Sequence, residues 1–303
     1  MNKIAVLGSI NMDFKVRVNE FPKPGQTISV TDLSQSVGGK GANQSVTVAK
    51  LGNKVNMFGA LGDGYFSEKL RKELWGVGVD ISEVEVKPTQ SGLAFVLVDN
   101  NGENKILVVG GANQELRKSY INKIVPKLKK FEILLLQLEI PVPVIRFLLE
   151  KLDAPKPKVI LDPAPAKPLD KLDFQMKKID LWTPNETELN ALLPNEVDGK
   201  IEAFMKKGAK RVIMTRAEYG AEYVDPKKRF TIDSYNVNDI DSTAAGDAFN
   251  GALAVALSRG YDYEQALRFA NAAGALATTK KGAKPSLPTE KEVKELIEKN
   301  KKI

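Results

Sequence analysis

The 303-residue sequence contains no cysteine and no histidine. Without cysteine there is no disulfide, no thiolate zinc site and no cysteine nucleophile. Without histidine there is no Ser-His triad, no imidazole base and no imidazole metal ligand. Catalysis has to run on carboxylates, lysines, backbone amides and bound cations. Phosphoryl transfer tolerates that restriction, because it depends mainly on positioning and charge stabilisation. No apolar run reaches the roughly 18 residues that suggest a membrane span. The short apolar opening, Ile4 to Gly8, is not followed by a small-residue cleavage site. The expected location is the cytoplasm, with no membrane partner.

Two nucleotide-binding motifs are also missing. Gly39-Lys40 is followed by Gly41 and not by a hydroxyl residue, so there is no P-loop. The first expected strand runs into Gly8-Ser9-Ile10-Asn11-Met12-Asp13 instead of G-x-G-x-x-G, which argues against a Rossmann dinucleotide site. Lysine and arginine total 45 against 38 acidic residues, a formal charge of +7. The basic residues are scattered, apart from Lys299, Lys301 and Lys302, and no basic stripe is interleaved with aromatics. A solvated surface is expected, and no nucleic-acid partner.

What is present is strand–helix alternation. Strands are expected at 3–8, 55–60, 132–138, 158–162, 179–182 and 211–215, with short strands in 221–239. Helices are expected at 42–51, 67–74, 244–259 and 263–279 and after the capping box Thr289 to Glu292. The pattern predicts an α/β fold: a doubly wound, mainly parallel sheet with helices on both faces. Two hairpin-like segments, about 14–37 and 90–111, interrupt it and predict a small extra sheet. The second carries Asn100-Asn101-Gly102 between two apolar runs. A single domain over 1–303 is expected.

Four segments carry chemistry. In Asp241-Ser-Thr-Ala-Ala-Gly-Asp247, small residues lead into a long apolar helix. Amides at the positive end of a helix dipole suit a transferring phosphate. Asp247 can accept the proton of an attacking alcohol; the alternative is a plain helix cap. Gly38-Gly39-Lys40-Gly41-Ala42-Asn43 allows close approach to a ligand, with Lys40 and Asn43 as donors, or is a tight turn. Asn11 and Asp13, beyond the first strand, suit sugar hydroxyls or form an Asx-turn; Glu139, following another strand, contributes similarly or is a surface carboxylate. Asn185 and Glu188 suit a water-held Mg²⁺ or simply cap a helix.

These motifs, in this order and spacing, resemble the ribokinase family of carbohydrate kinases, also called the PfkB family, over nearly the whole chain. Gln137-Leu138-Glu139, Asp162-Pro-Ala-Pro-Ala166 and Lys281-Gly-Ala-Lys-Pro-Ser286 strengthen the resemblance. It implies transfer of the ATP γ-phosphoryl group to the 5-hydroxyl of D-ribose, with Asp247 as base. Asn11, Asp13, Gly39, Lys40, Asn43, Glu139 and Asp247 would line the sugar site. Ala244, Ala245, Gly246 and Asp247 would supply the anion hole. Asn185, Thr215, Gly220 and Asn271 would lie along ATP, and Glu188 would organise Mg²⁺. Asp241, Thr243, Ala277, Lys280, Gly282 and Ser286 would hold a monovalent cation, K⁺, several of them through backbone carbonyls. The hairpin sheet would be a lid, pairing with a second copy in a homodimer. Ala217 departs from the family, which usually has glycine there, and Asn271 stands where histidine is common.

Overall fold

The computed structural model describes residues 4–30, 32–100, 103–153, 157–196 and 198–300. In chain order its strands are β1 (Ile4–Leu7), β2 (Asn11–Arg17), β3 (Leu33–Gly38), β4 (Val55–Gly62), β5 (Val79–Lys87), β6 (Gly92–Val98), β7 (Asn104–Val109), β8 (Ile133–Gln137), β9 (Lys158–Asp162), β10 (Leu181–Trp182), β11 (Val212–Thr215), β12 (Ala221–Val224) and β13 (Arg229–Ile232). The helices are α1 (Lys40–Lys50), α2 (Tyr65–Trp75), α3 (Lys118–Leu128), α4 (Val142–Lys151), α5 (Leu169–Leu172), α6 (Glu186–Leu192), α7 (Lys200–Lys206), α8 (Ala245–Ser258), α9 (Tyr263–Thr278), α10 (Ala283–Ser286) and α11 (Glu290–Asn300).

The larger sheet runs β13-β12-β11-β10-β9-β8-β1-β4-β5. It is parallel from β11 to β5, and the last two hairpin strands, β12 and β13, are antiparallel. The central strand β1 is wholly apolar because both faces are covered, and every residue of it is buried. One core packs α1, α8 and α9 on one face, and a second packs α3, α4 and α7 on the other. The chain leaves β1 toward β4 on one side, while β8 pairs on the other. Between them lies the topological switch point, where the carboxyl ends of open α/β sheets leave a crevice.

The expected doubly wound fold and the extra sheet are both present. The small sheet runs β3-β2-β6-β7: two antiparallel hairpins joined where β2 pairs parallel to β6. Asn101 and Gly102 of the expected turn, and Lys301 and Lys302, lie outside the described residues. One strand was not expected. β5 reads Val-Asp-Ile-Ser-Glu-Val-Glu-Val-Lys, with acidic residues between the apolar ones, and it borders the sheet with one side unpaired.

Candidate active site

Gly39 precedes α1 with φ at 86°, a left-handed conformation that a side chain would strain. A Cβ on its neighbour Gly38 would sit 1.9 Å from the Asp13 carboxylate. The two glycines therefore let β3 turn into α1 directly beneath Asp13. At the start of α1, the Lys40 amide donates to Glu139 Oε2 at 2.9 Å, and Ser9 Oγ donates to the same oxygen. This ties the carboxyl ends of β1 and β8 to the α1 N-terminus.

Asp247 lies in the first turn of α8 and is only 4% exposed. The helix has no side-chain cap. The carboxylate turns instead to α1: Oδ2 accepts from Asn43 Nδ2 at 2.9 Å and Oδ1 from Gln44 Nε2 at 3.2 Å. The capping alternative for Asp247 does not hold. Burial raises its pKa, while Lys40 and the bonds from Asn43 and Gln44 act against that rise. Burial likewise opposes the Lys40 charge, but Asp162, Asp247, Glu139 and Glu188 outweigh it and hold the ammonium protonated. Its Nζ lies 4.0 Å from Asp162 Oδ2. The Lys40 side chain is half-buried beside these carboxylates.

Asp13 is pushed up to about 7 by burial and then by the charges of Glu139 and Asp247. Its Oδ1 is buried without a hydrogen-bond partner, and so is Oδ1 of Asn43. Such acceptors are costly unless a ligand completes them. Two unsatisfied oxygens, one of them on a carboxyl group within the influence of Glu139 and Asp247, suit a polyhydroxylated ligand. Asn11 makes no Asx-turn; its Oδ1 accepts from Asn113 Nδ2 at 2.8 Å.

Asn113 also takes the Ile10 amide at 3.0 Å. It belongs to this end of the site, yet nothing in its sequence context set it apart. Gln44 and Gln137 were missed as site residues too. Gln137 Nε2 donates to Gln44 Oε1 at 2.6 Å, and Gln44 Nε2 donates to Asp162 Oδ2 at 2.9 Å. A glutamine inside an apolar strand was the available signal.

On the other side of the α8 N-terminus opens a cavity of about 680 Å³. Asn185, Thr215, Gly220, Ala245, Gly246 and Asn271 line it. Ala244 sits at the helix boundary with φ at 64° and is outside the lining. The Ala245 amide is spent on Ser242 O at 3.2 Å, leaving the Gly246 and Asp247 amides as first-turn donors without a helical acceptor.

Asn185 and Thr215 are brought together by a parallel bridge. Asn185 and Glu188 form a reciprocal capping box on α6, so the capping alternative is realised there. Asn271 spends its amide on Ile232 O and Asp233 O, holding the segment after β13 over the cavity. Tyr235, Asn236 and Val237 of that segment also line the cavity, as do Phe249, Gly274 and Ala275. The first three lie in irregular chain with no periodicity to read.

The expected cation residues are only partly convergent. Asp241 Oδ1 accepts from the Thr243 amide at 3.1 Å and its hydroxyl at 2.5 Å. Oδ2 accepts from the Gly282 amide at 2.9 Å and from Lys15 Nζ at 2.5 Å. Ser286 Oγ donates to Ala283 O, Lys280 Nζ pairs with Glu292, and Ala277 is buried within α9. Among the described residues no group of three or more acidic side chains is placed to hold a metal ion.

A doubly wound sheet, a buried carboxylate at a helix N-terminus and a glycine-rich turn opposite it suit a small-molecule phosphotransferase. Residues 1–290 match the pfkB family of carbohydrate kinases. The chain is 37% identical to the ribokinase of Bacillus subtilis over 301 residues, 98% of this chain and all of that one. Its fold is similar to the ribokinase structure from Thermotoga maritima, with a TM-score of 0.89, 35% identity and 98% and 100% of the two chains covered. It is also similar to that of Arabidopsis thaliana ribokinase complexed with ribose and ATP, at TM-score 0.85 and 32% identity, with 98% of each chain covered. The protein belongs to the pfkB family of carbohydrate kinases, phosphotransferases acting on a sugar hydroxyl.

Proposed function

We propose that this protein phosphorylates D-ribose at its 5-hydroxyl with ATP. The carrying observation is a pair of consecutive residues. Gly246 lines the large cavity, while the carboxylate of Asp247 lies among Asn43, Gln44 and Lys40 on the sugar side. A phosphoryl group held at the α8 amides would thus stand between the two compartments.

In this reading ATP fills the cavity with its γ-phosphate at the amides of Gly246 and Asp247. The sugar lies under Asp13, Asn11, Gly39, Lys40, Asn43 and Glu139. O5 attacks phosphorus in line, the bond to the ADP oxygen breaks, and ADP leaves. The loose transition state requires little base strength early, so Asp247 orients the hydroxyl and takes its proton late. Mg²⁺ would arrive on the ATP phosphates, because among the described residues no group of three or more acidic side chains is placed to hold a metal ion. Glu188 is the candidate to organise its waters, since its neighbour Asn185 lines the cavity and its charge acts on Lys40 and Asp162. A potassium ion held by the Asp241 side chain does not fit, because four donors already occupy that carboxylate.

The small sheet (within about 14–37 and 90–111) is proposed as a lid on a single 1–303 domain and as the surface of a homodimer. Leu33, Ile106, Leu107 and Val108 are each more than half exposed on its strands, an apolar area that favours a partner. No helix among the described residues is long and apolar enough to cross a membrane, and the cytoplasm, where ATP is made available, is the proposed location.

The test is ADP release from ATP–Mg²⁺ across ribose, deoxyribose, fructose, adenosine and keto-deoxygluconate. Ribose is expected to be fastest by kcat/KM. A faster rate on another acceptor overturns the sugar assignment, and no turnover on any acceptor overturns the kinase reading.

A further inference from the structure

The Asp241 carboxylate joins three parts of the molecule. Thr243 belongs to the loop entering α8, Gly282 to the turn before α10, and Lys15 to β2 of the small sheet. Both side chains of the Lys15–Asp241 pair are largely covered, at 19% and 13% exposure. An ionised carboxylate has about four lone-pair sites, and here each oxygen already takes two donors. Any cation seeking the Asp241 side chain would have to displace the Lys15 ammonium lying 2.5 Å from it, or tolerate its repulsion. Lys15 stands two residues beyond Asp13 on the same strand, and alternation puts both on one face of the sheet.

We propose that the Lys15 ammonium is a cation built into the protein. It takes the place beside the phosphate loop that the family resemblance gives to K⁺, so that phosphoryl transfer here needs no monovalent ion. Lys15 is a positioning residue. It fixes Asp241, which fixes the Thr243 amide and hydroxyl two residues ahead of α8, and its charge favours negative charge building up at the helix N-terminus. Because it rides on β2, the charge joins the loop only when the small sheet lies over the site.

The inference rests on the phosphoryl-transfer reading for its effect on rate, but not for its effect on ion binding, and the two are measured separately. Turnover is followed during a potassium titration, with choline chloride holding ionic strength constant. The wild type is expected to be unresponsive. Lys15→Met should lose about tenfold in kcat in choline and recover with potassium but not with lithium. Lys15→Arg, which keeps the charge, should remain active and unresponsive.

The second readout is melting temperature without substrates: potassium should raise that of Lys15→Met by mass action and leave the wild type unmoved. If Lys15→Met does not fold, Lys15→Gln takes its place in both measurements. Wild-type activation or stabilisation by potassium overturns the inference. So does a Lys15→Met enzyme that is fully active in choline, or one whose loss potassium does not repair. If no sugar is phosphorylated yet only Lys15→Met gains potassium stabilisation, the built-in cation stands and the kinase reading falls.

Discussion

Asn43 Nδ2 donates to Asp247 Oδ2 across 2.9 Å, joining residues 204 apart in the chain. With Gln44 on the other carboxylate oxygen, both oxygens of Asp247 accept from amide groups, so the carboxylate cannot rotate freely. Its orientation is set before substrate arrives. Asp247→Asn keeps the size and removes the proton acceptor. It should lower kcat by on the order of 10²–10⁴ while sugar affinity, read by calorimetry, changes little. Near-normal turnover would remove Asp247 from the proton transfer.

Asp13 gives the ligand-free protein a pH-dependent stability. Its carboxyl is neutral in the folded state up to about 7, against 3.8 as the ordinary value. A group raised in this way contributes stability that is fully present below the unfolded value and lost as pH rises through the folded one. Asp13→Asn removes the loss. The variant should be more stable than wild type at about pH 8, by on the order of 1–4 kcal/mol, with the difference closing toward pH 4. Urea midpoints at both pH values test it; an equal difference at both would sink the assignment.

Asn113 serves two groups at once, the Ile10 amide and the Asn11 side chain. Asn113→Ala strands both in a buried setting. A stability loss of about 1–3 kcal/mol is expected in chemical denaturation, together with a raised KM for the sugar and a smaller change in kcat. A KM left unaltered would confine Asn113 to a structural role.

Ala217 has φ at 46° in the loop that borders the cavity. A left-handed alanine carries strain of roughly 1–2 kcal/mol, and glycine returns about 0.4–1 kcal/mol of that as unfolded-state entropy. Ala217→Gly should therefore stabilise the fold by several tenths to about 1 kcal/mol, or roughly 2 °C in Tm. A lower melting temperature would show that the alanine methyl contributes packing that outweighs its backbone.

Leu107 is 64% exposed on β7, beside Ile106 and Val108. Light scattering should find a dimer for the wild type and a monomer for Leu107→Asp. Equal masses for the two would remove this face from the interface.

Most of the frame was legible because it rests on local signals: apolar runs, glycine punctuation and a capping box at Thr289. The edge strand β5 was not, because its apolar–polar alternation slips by one residue between Ile81 and Val84, where its pairing with β4 also shifts register. In the site, motif residues such as Asp247, Asn43 and Gly246 were recognisable from the chain. Asn113 and Gln137 act through partners more than 90 positions away, which no local pattern encodes. The Asn185–Glu188 pair shows the converse. Its spacing fits two roles, and the structure shows the helix cap directly.

The two ends of the site are made of different material. Around Asp247 the functional groups are side chains drawn from β2, α1, α8 and the end of β8. Around the cavity many of the walls are backbone and small residues such as Gly246, Gly274 and Ala275. Evolvability should follow that division. Single substitutions can shift the choice of phosphate acceptor, whereas the choice of donor is tied to the path of the main chain and would change mainly through insertions or exchanged loops.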